Sequence, residues 1–205
     1  MTRVYFVRHA QPEHDWEEDR TRPLTEEGKK DSAIVLEFLK DKKIDAFYCS
    51  PYKRSMDTIA EAADFFTKEI IKDERLRERE KGLDGNNHGM FRKRWADHNY
   101  HEEGGESIAM VQKRNIEALN EILSDNTDKD IVIGTHGTAL STILNFYDNN
   151  FGCEDFLRII DWMPYIIELD FESSCNEMES ECPSYSFKLI GKQEHCYIEK
   201  KFKGK

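Results

Sequence analysis

The 205-residue chain has no apolar stretch long enough to cross a bilayer as a helix, which takes about 20 predominantly apolar residues. It also lacks an apolar run behind its first residues. Met1-Thr2-Arg3 leads straight into a strand-like segment, so no secretory leader is expected and a cytoplasmic location is. A basic surplus is missing too: 30 Lys and Arg stand against 41 Asp and Glu, a formal net charge of −11. That balance excludes a general nucleic-acid binder, which displaces counterions with a basic surface. It leaves an anionic substrate open, because a local group of arginines governs its own pocket. Cysteine is sparse and odd in number. Cys49, Cys153, Cys175, Cys182 and Cys196 are widely spaced and include no CxxC pair, so free thiols are expected rather than a disulfide framework. There is no internal repeat and no linker, and the expectation is a single domain over residues 1–205, long enough for a substantial core.

What is present is an alternation of strand and helix signals, the pattern of an α/β domain with a largely parallel sheet. Strands are expected near Arg3–Val7, Asp45–Cys49, Glu69–Lys72, Asp130–Thr135 and Tyr165–Phe171. Ser184–Ile190 is expected to pair with the last of these across an acidic turn, Glu172–Pro183. Leu24-Thr25-Glu26-Glu27-Gly28 reads as a helix start with Thr25 as N-cap and acidic residues in the first turn. Ala33, Val35, Leu36 and Leu39 give that helix its apolar side. Pro51 suits the first turn of the next helix. In Glu106–Ser124 the apolar residues Ile108, Val111, Leu119, Ile122 and Leu123 fall near one face. Thr138–Tyr147 reads as a further helix, and Lys200–Lys205 as a frayed tail. Residues 82–105 form an excursion that could cover a pocket, with a short helix near Phe91–His98.

Several apolar runs end in residues suited to phosphoryl chemistry. Val4-Tyr5-Phe6-Val7 stops at Arg8-His9, and Ile131-Val132-Ile133-Gly134-Thr135 stops at His136-Gly137. Ala46-Phe47-Tyr48-Cys49 is followed by Ser50-Pro51 and Arg54, and Ile70-Ile71 by Leu76-Arg77-Glu78. In a parallel sheet such strand ends share one edge, where α/β proteins bind ligands. An arginine fork fits phosphate oxygens, and a neutral imidazole is a nucleophile near pH 7.

Arg8-His9-Ala10, Ser50-Pro51 with Arg54, Leu76-Arg77-Glu78, Gly104-Gly105-Glu106-Ser107 and His136-Gly137 occur in the order found in the histidine phosphatase superfamily, which the chain resembles. The resemblance implies a phosphoglycerate mutase-like three-layer α/β/α sandwich around a mostly parallel sheet. It implies metal-independent hydrolysis of a small phosphorylated metabolite through phosphohistidine, with no cofactor and with neither nucleic acid nor membrane as partner. His9 would be the nucleophile, Arg8 and Arg54 the phosphate clamp, and His136, protonated beside the dianion, a further donor. Glu78 matches the family's proton donor, with Glu80 as its rival two residues along. Glu106 reads as a helix-start residue with a secondary role.

A phosphoglycerate mutase is the nearest alternative, and a non-catalytic binding or regulatory member of the fold is another. The chain is short for a mutase and departs from its pattern after His9: Asp15 stands where an asparagine often helps to hold phosphate. Either Asp15 turns away or that corner of the pocket is altered, and His14 reads as an exposed loop residue. Arg92, Lys93 and Arg94 are open to two readings, a contact to a second acidic group on the substrate or a solvated basic turn. A metal site from His88, His98 and His101 is disfavoured because their spacing is unlike i, i+4 pairing. The particular monoester and the oligomeric state are not encoded in any motif.

Overall fold

Four short apolar segments pair in parallel and end level with one another, and this sets the architecture of the protein. The computed structural model describes residues 1–83, 88–174 and 186–200. β1 (Thr2–Arg8) pairs in parallel with β4 (Asp130–Thr135), from Arg3 opposite Asp130 to Arg8 opposite Thr135. On the other side of β4 lies β2 (Ala46–Cys49), and beyond it β3 (Ile70–Lys72), both parallel. β5 (Trp162–Ser174) runs antiparallel along β1, and β6 (Ser186–Glu199) antiparallel along β5. The six-stranded sheet has the order β3-β2-β4-β1-β5-β6 and is the mostly parallel sheet expected from the alternation of elements.

Successive strand residues point to opposite faces, so each central strand feeds two apolar layers. Val4, Phe6, Ile131 and Ile133 pack with the buried sides of α5 (Ile108–Asp125), α6 (Gly137–Tyr147) and α7 (Cys153–Ile159). Tyr5, Val7, Phe47 and Val132 pack on the other face with Val35 and Leu39 of α2 (Ala33–Leu39) and with Ile59, Ala62 and Ala63 of α3 (Lys53–Phe65). The result is the three-layer sandwich.

Some local expectations change. Thr25 does cap α1 (Glu26–Asp31), its hydroxyl accepting from Gly28 N at 2.8 Å. The helix expected to continue to Leu39 breaks at Ser32, whose hydroxyl turns back to donate to the Lys29 carbonyl at 2.7 Å. α7 was not foreseen, although Gly152 followed by Glu154 and Asp155 is an N-terminal signature; Asp155 accepts from Gly152 N at 3.0 Å. β5 and β6 are longer than expected, and Glu172–Ser174 continue β5. The rest of the expected turn, with Cys175 and Cys182, and the tail beyond Lys200 lie outside the described residues. The base of the 82–105 excursion closes where Lys81 bridges Gly105. Its α4 (Phe91–Ala96) sets Trp95 against Phe151 and Phe156.

At Gly134 the neighbours of β4 come close. A Cβ there would lie 2.6 Å from Cys49 Sγ and 3.1 Å from Ile59 Cδ1. Gly134→Ala should therefore destabilise the protein by about 1–3 kcal/mol in denaturant unfolding. Cys49→Ala in the same chain should restore part of the loss; no recovery in the double variant would mean the sulfur is not what the methyl meets.

Candidate active site

The level ends of β1 and β4 carry the two histidines. His9 N donates to the Thr135 carbonyl at 3.1 Å, so His9 and His136 leave the sheet side by side. Their rings lie 5.2 Å apart, centroid to centroid, edge to face. Both are buried, as are Arg8 and Arg54. His9 Nδ1 lies 2.8 Å from the carbonyl oxygen of Ala10. A carbonyl only accepts, so Nδ1 carries the hydrogen and Nε2 keeps its lone pair. Thr58 of α3 holds the turn by accepting from Ala10 N at 2.9 Å, and its own hydroxyl donates to the Arg54 carbonyl at 2.7 Å.

His136 Nε2 lies 2.7 Å from Ser50 Oγ, and Ser50 Oγ accepts from Tyr52 N at 3.2 Å, which leaves its own hydrogen for His136 Nε2. His136 Nδ1 is buried without a hydrogen-bond partner among the described residues. Arg8 is held from the far side: its two terminal nitrogens donate to the carbonyls of Ile159 (2.6 Å) and Ile160 (2.8 Å), and Nε has no partner among the described residues. Its guanidinium lies beneath the start of α6, where a Cβ on Gly137 would come within 3.2 Å of Arg8 Cζ. A side chain at this position would press on the Arg8 guanidinium. Arg54 NH1 donates to the Asp19 carbonyl oxygen at 2.6 Å, and NH2 to its carboxylate at 3.3 Å.

Glu78 joins this group and Glu80 does not. Glu78 Oε1 accepts from Arg79 N at 2.7 Å, and Oε2 from Thr138 N at 3.0 Å, in the first turn of α6. Its charge reaches both Arg8 and Arg54. Glu80 is half exposed and faces Tyr52 and Arg77. Glu106 is buried: it accepts from Arg114 through both oxygens at 2.8 Å, from Arg77 at 2.9 Å and from Glu80 N at 3.0 Å. Arg114 also donates to the carbonyls of Arg75, Arg77 and Glu78. This pair fixes the backbone that presents Glu78, a larger role than a helix start.

The three cations of α4 have separate partners within the protein. Arg94 is buried and paired with Glu102, its Nε 2.8 Å from the carboxylate, while Arg79 reaches the same carboxylate at 3.2 Å. Arg92 pairs with Glu154, and Lys93 lies over the Tyr100 ring. Asp15 and His14 are both exposed, as expected of His14. His98 packs edge-on against Trp95, and His101 Nδ1 contacts the Glu102 carbonyl at 3.0 Å. Among the described residues no group of three or more His, Cys, Asp or Glu side chains could hold a metal ion. Burial pushes the Cys49 thiol up to about 12, the behaviour of a packed strand residue rather than a reactive one.

Sequence reasoning did not single out Asp19, Arg22, Thr58, Glu102 or Arg114. Arg114 had one available signal: a long cation inside the apolar stripe of α5.

The histidine phosphatase superfamily (branch 1) matches residues 4–161. The chain belongs to that superfamily. Phosphoserine phosphatase 1 of Hydrogenobacter thermophilus is 29% identical over 154 residues, 66% of this chain and 71% of the relative. Among solved structures, the phosphoserine phosphatase of Entamoeba histolytica with 3-phosphoglyceric acid superposes with a TM-score of 0.69 at 22% identity. It covers 92% of this chain and 97% of its own. A mycobacterial glucosyl-3-phosphoglycerate phosphatase complexed with VO3 gives 0.70 at 18% identity, over 92% and 96%. The fold expected from the motifs stands, and so does the expected class, a phosphatase acting on a small phosphorylated substrate. No helix among the described residues is long and apolar enough to cross a membrane.

The electrostatics give the site a pH signature. Burial, reinforced by Arg54 and Arg8, holds His9 well below 6.5; burial, then Arg54 and the neighbouring His9, does the same to His136. Both imidazoles are therefore neutral without substrate, and a charged His136 requires the dianion. Burial also pulls Arg8 down to about 10, opposed by Glu78 and Asp161, which leaves it charged at neutral pH. Below pH 6.5 the unfolded histidines take up protons that the folded ones refuse, so the unfolded state binds more protons there and stability rises with pH. Unfolding free energy should fall as pH drops from 7 to 5, by up to about 1.4 kcal/mol per pH unit for each histidine. His136→Asn should flatten that slope in denaturant titrations. An unaltered slope in both His136→Asn and His9→Asn would show that neither ring is held neutral.

Proposed function

We propose that the protein hydrolyses a phosphate monoester without a metal, through a phosphohistidine on His9, and that its substrate is a phosphorylated hydroxy acid or a similarly small metabolite. The observation that carries this reading is the Nδ1 contact to Ala10, which leaves Nε2 of His9 unprotonated among three other candidate phosphate-handling groups. Nε2 attacks phosphorus and the ester P–O bond breaks. Arg8, through the Nε edge its carbonyl contacts leave free, and Arg54 balance charge on the equatorial oxygens. Ser50 donates to His136 Nε2, so the Nδ1 hydrogen of His136 is the one available to a phosphoryl oxygen. The N-terminus of α6 adds its dipole. Glu78 delivers a proton to the leaving alkoxide. It then takes one from the water that attacks phosphohistidine, which returns His9 and releases inorganic phosphate.

The names of the relatives support a hydroxy-acid ester, since phosphoserine and glucosyl-3-phosphoglycerate both carry a carboxylate near the phosphate. The reduced Cys49, Cys153 and Cys196 suit a cytoplasmic setting.

His9→Ala should lower kcat by about 10⁴-fold or more and abolish an acid-labile, base-stable phosphoenzyme in rapid-quench labelling. Substantial turnover by the purified variant would move the nucleophile elsewhere. In excess chelator the wild-type protein should release inorganic phosphate at an unchanged rate and without a bisphosphoglycerate cofactor. Interconversion of 2- and 3-phosphoglycerate far faster than hydrolysis would make it a mutase.

A poor leaving group needs protonation in the transition state, whereas nitrophenolate largely does not. Glu78→Gln should therefore slow an alkyl phosphate about 10²–10⁴-fold more than p-nitrophenyl phosphate, and Glu80→Gln should show no such selectivity. Equal losses on both esters for Glu78→Gln would assign that residue a structural role.

A further inference from the structure

The carbonyls that hold Arg8 are themselves held from outside the pocket. Ile159 ends α7 and Ile160 follows it, and between them they accept from both terminal nitrogens of Arg8. A helix as short as α7 has little stability of its own, so the direction of its last carbonyls depends on what packs against it. Phe156 and Ile159 anchor one side of it in the core. Arg158, the residue before Ile159, anchors the other. It donates to both oxygens of Glu194 on β6, at 2.7 Å and 3.1 Å. Its guanidinium also lies over the Trp162 ring, 4.9 Å from the centroid.

Trp162 is fixed in turn by the same strand. The Tyr197 ring of β6 stacks on the indole at 3.7 Å, with 8° between the planes. The indole also meets Tyr165 edge-on at 5.2 Å. Tyr165 is buried, and it stands opposite Arg8 in the β1–β5 pairing and opposite Tyr197 in the β5–β6 pairing. Arg158, Glu194, Trp162 and Tyr197 thus close around the turn from α7 into β5. Lys200 N ties that turn once more, donating to the Asp161 carbonyl at 2.7 Å. Arg158, Glu194 and Tyr197 are exposed, so this brace lies on the surface and not in the pocket. Trp162, Glu194 and Tyr197 also lie beyond residue 161, where the family match ends.

An exposed ion pair contributes little to stability. A fork that meets both oxygens of one carboxylate contributes direction instead. We propose that Arg158 and Glu194 are positioning residues for the reaction: by fixing the end of α7 they aim the Arg8 guanidinium at the phosphoryl group. The inference rests on the reading of Arg8 as a phosphate clamp. Without the fork the last turn of α7 can twist, the carbonyls of Ile159 and Ile160 move with it, and Arg8 follows them.

The test reads Arg8 directly and through activity. In ligand-free protein made with isotope-labelled arginine, a guanidinium held at both terminal nitrogens should give separate, slowly exchanging N–H signals in NMR spectra. Their loss in Arg8→Lys assigns them. Arg158→Met and Glu194→Gln should broaden or merge these signals. With p-nitrophenyl phosphate, Arg158→Met should lower kcat/KM about tenfold, as a displacement short of one ångström at a reacting group would. Arg158→Lys, which keeps the charge but not the fork, should recover part of the loss. Arg158→Met should again cost about tenfold in an Arg54→Lys protein and little in an Arg8→Lys protein. Unchanged Arg8 signals or an unchanged kcat/KM in Arg158→Met would overturn the proposal. Equal losses in the two backgrounds would do so too, because a general loosening of the fold does not act through Arg8. If Arg8→Lys alone costs no activity, the clamp reading falls and this inference with it, whatever the signals show.

Discussion

The parallel pairing of β1 with β4 is the constraint on which the rest depends. Its register puts Arg8 opposite Thr135, and one further backbone bond, from His9 N to the Thr135 carbonyl, carries the alignment past the end of the sheet. A slip by one residue would turn Val4 and Phe6 away from α5 and α6 and would separate the two imidazoles. The apolar pattern that buries the strands on both faces is thus the same pattern that sets the distance between His9 and His136. Packing and site geometry are not independent specifications here.

Around that pair the protein uses buried charge for alignment. Glu106 with Arg114, and Glu102 with Arg79 and Arg94, are ion pairs removed from water. Such pairs contribute little net stability, because desolvation offsets most of the attraction. Their bonds go mainly to the backbone of residues 75–80, the segment that carries Glu78. The role consistent with that geometry is to define one conformation for a segment with little regular structure. Losing one partner would leave the other charged and buried, so these residues are also points of fragility.

Much of this was legible in the sequence, and the limits follow from range. The strands, the capping by Thr25, the long α5 and the clustering of Arg8, His9, Arg54, Glu78 and His136 follow from local periodicity and from apolar runs that end in polar residues. Asp19 lies in a polar loop with no period, and its importance comes from Arg54, 35 residues away in sequence. Arg94 and Arg114 look like surface cations until Glu102 and Glu106 are seen to meet them. The choice of Glu78 over Glu80 depended on which carboxylate reaches Thr138 N, a contact across 60 residues. α7 was short enough to be overlooked, yet it supplies the carbonyls that hold Arg8.

Those carbonyls have a consequence of their own. A carboxylate beside Arg8 would fix its position, but would also neutralise it and compete with an incoming anion. The peptide oxygens of Ile159 and Ile160 carry only partial charges. They clamp the guanidinium in place while leaving most of its unit charge directed at the pocket. The two arginines are therefore unequal by construction. Arg54 must share itself with Asp19 through a direct ion pair, whereas Arg8 is held by neutral carbonyls and feels Glu78 and Asp161 only at a distance, so most of its charge is left for the anion that arrives.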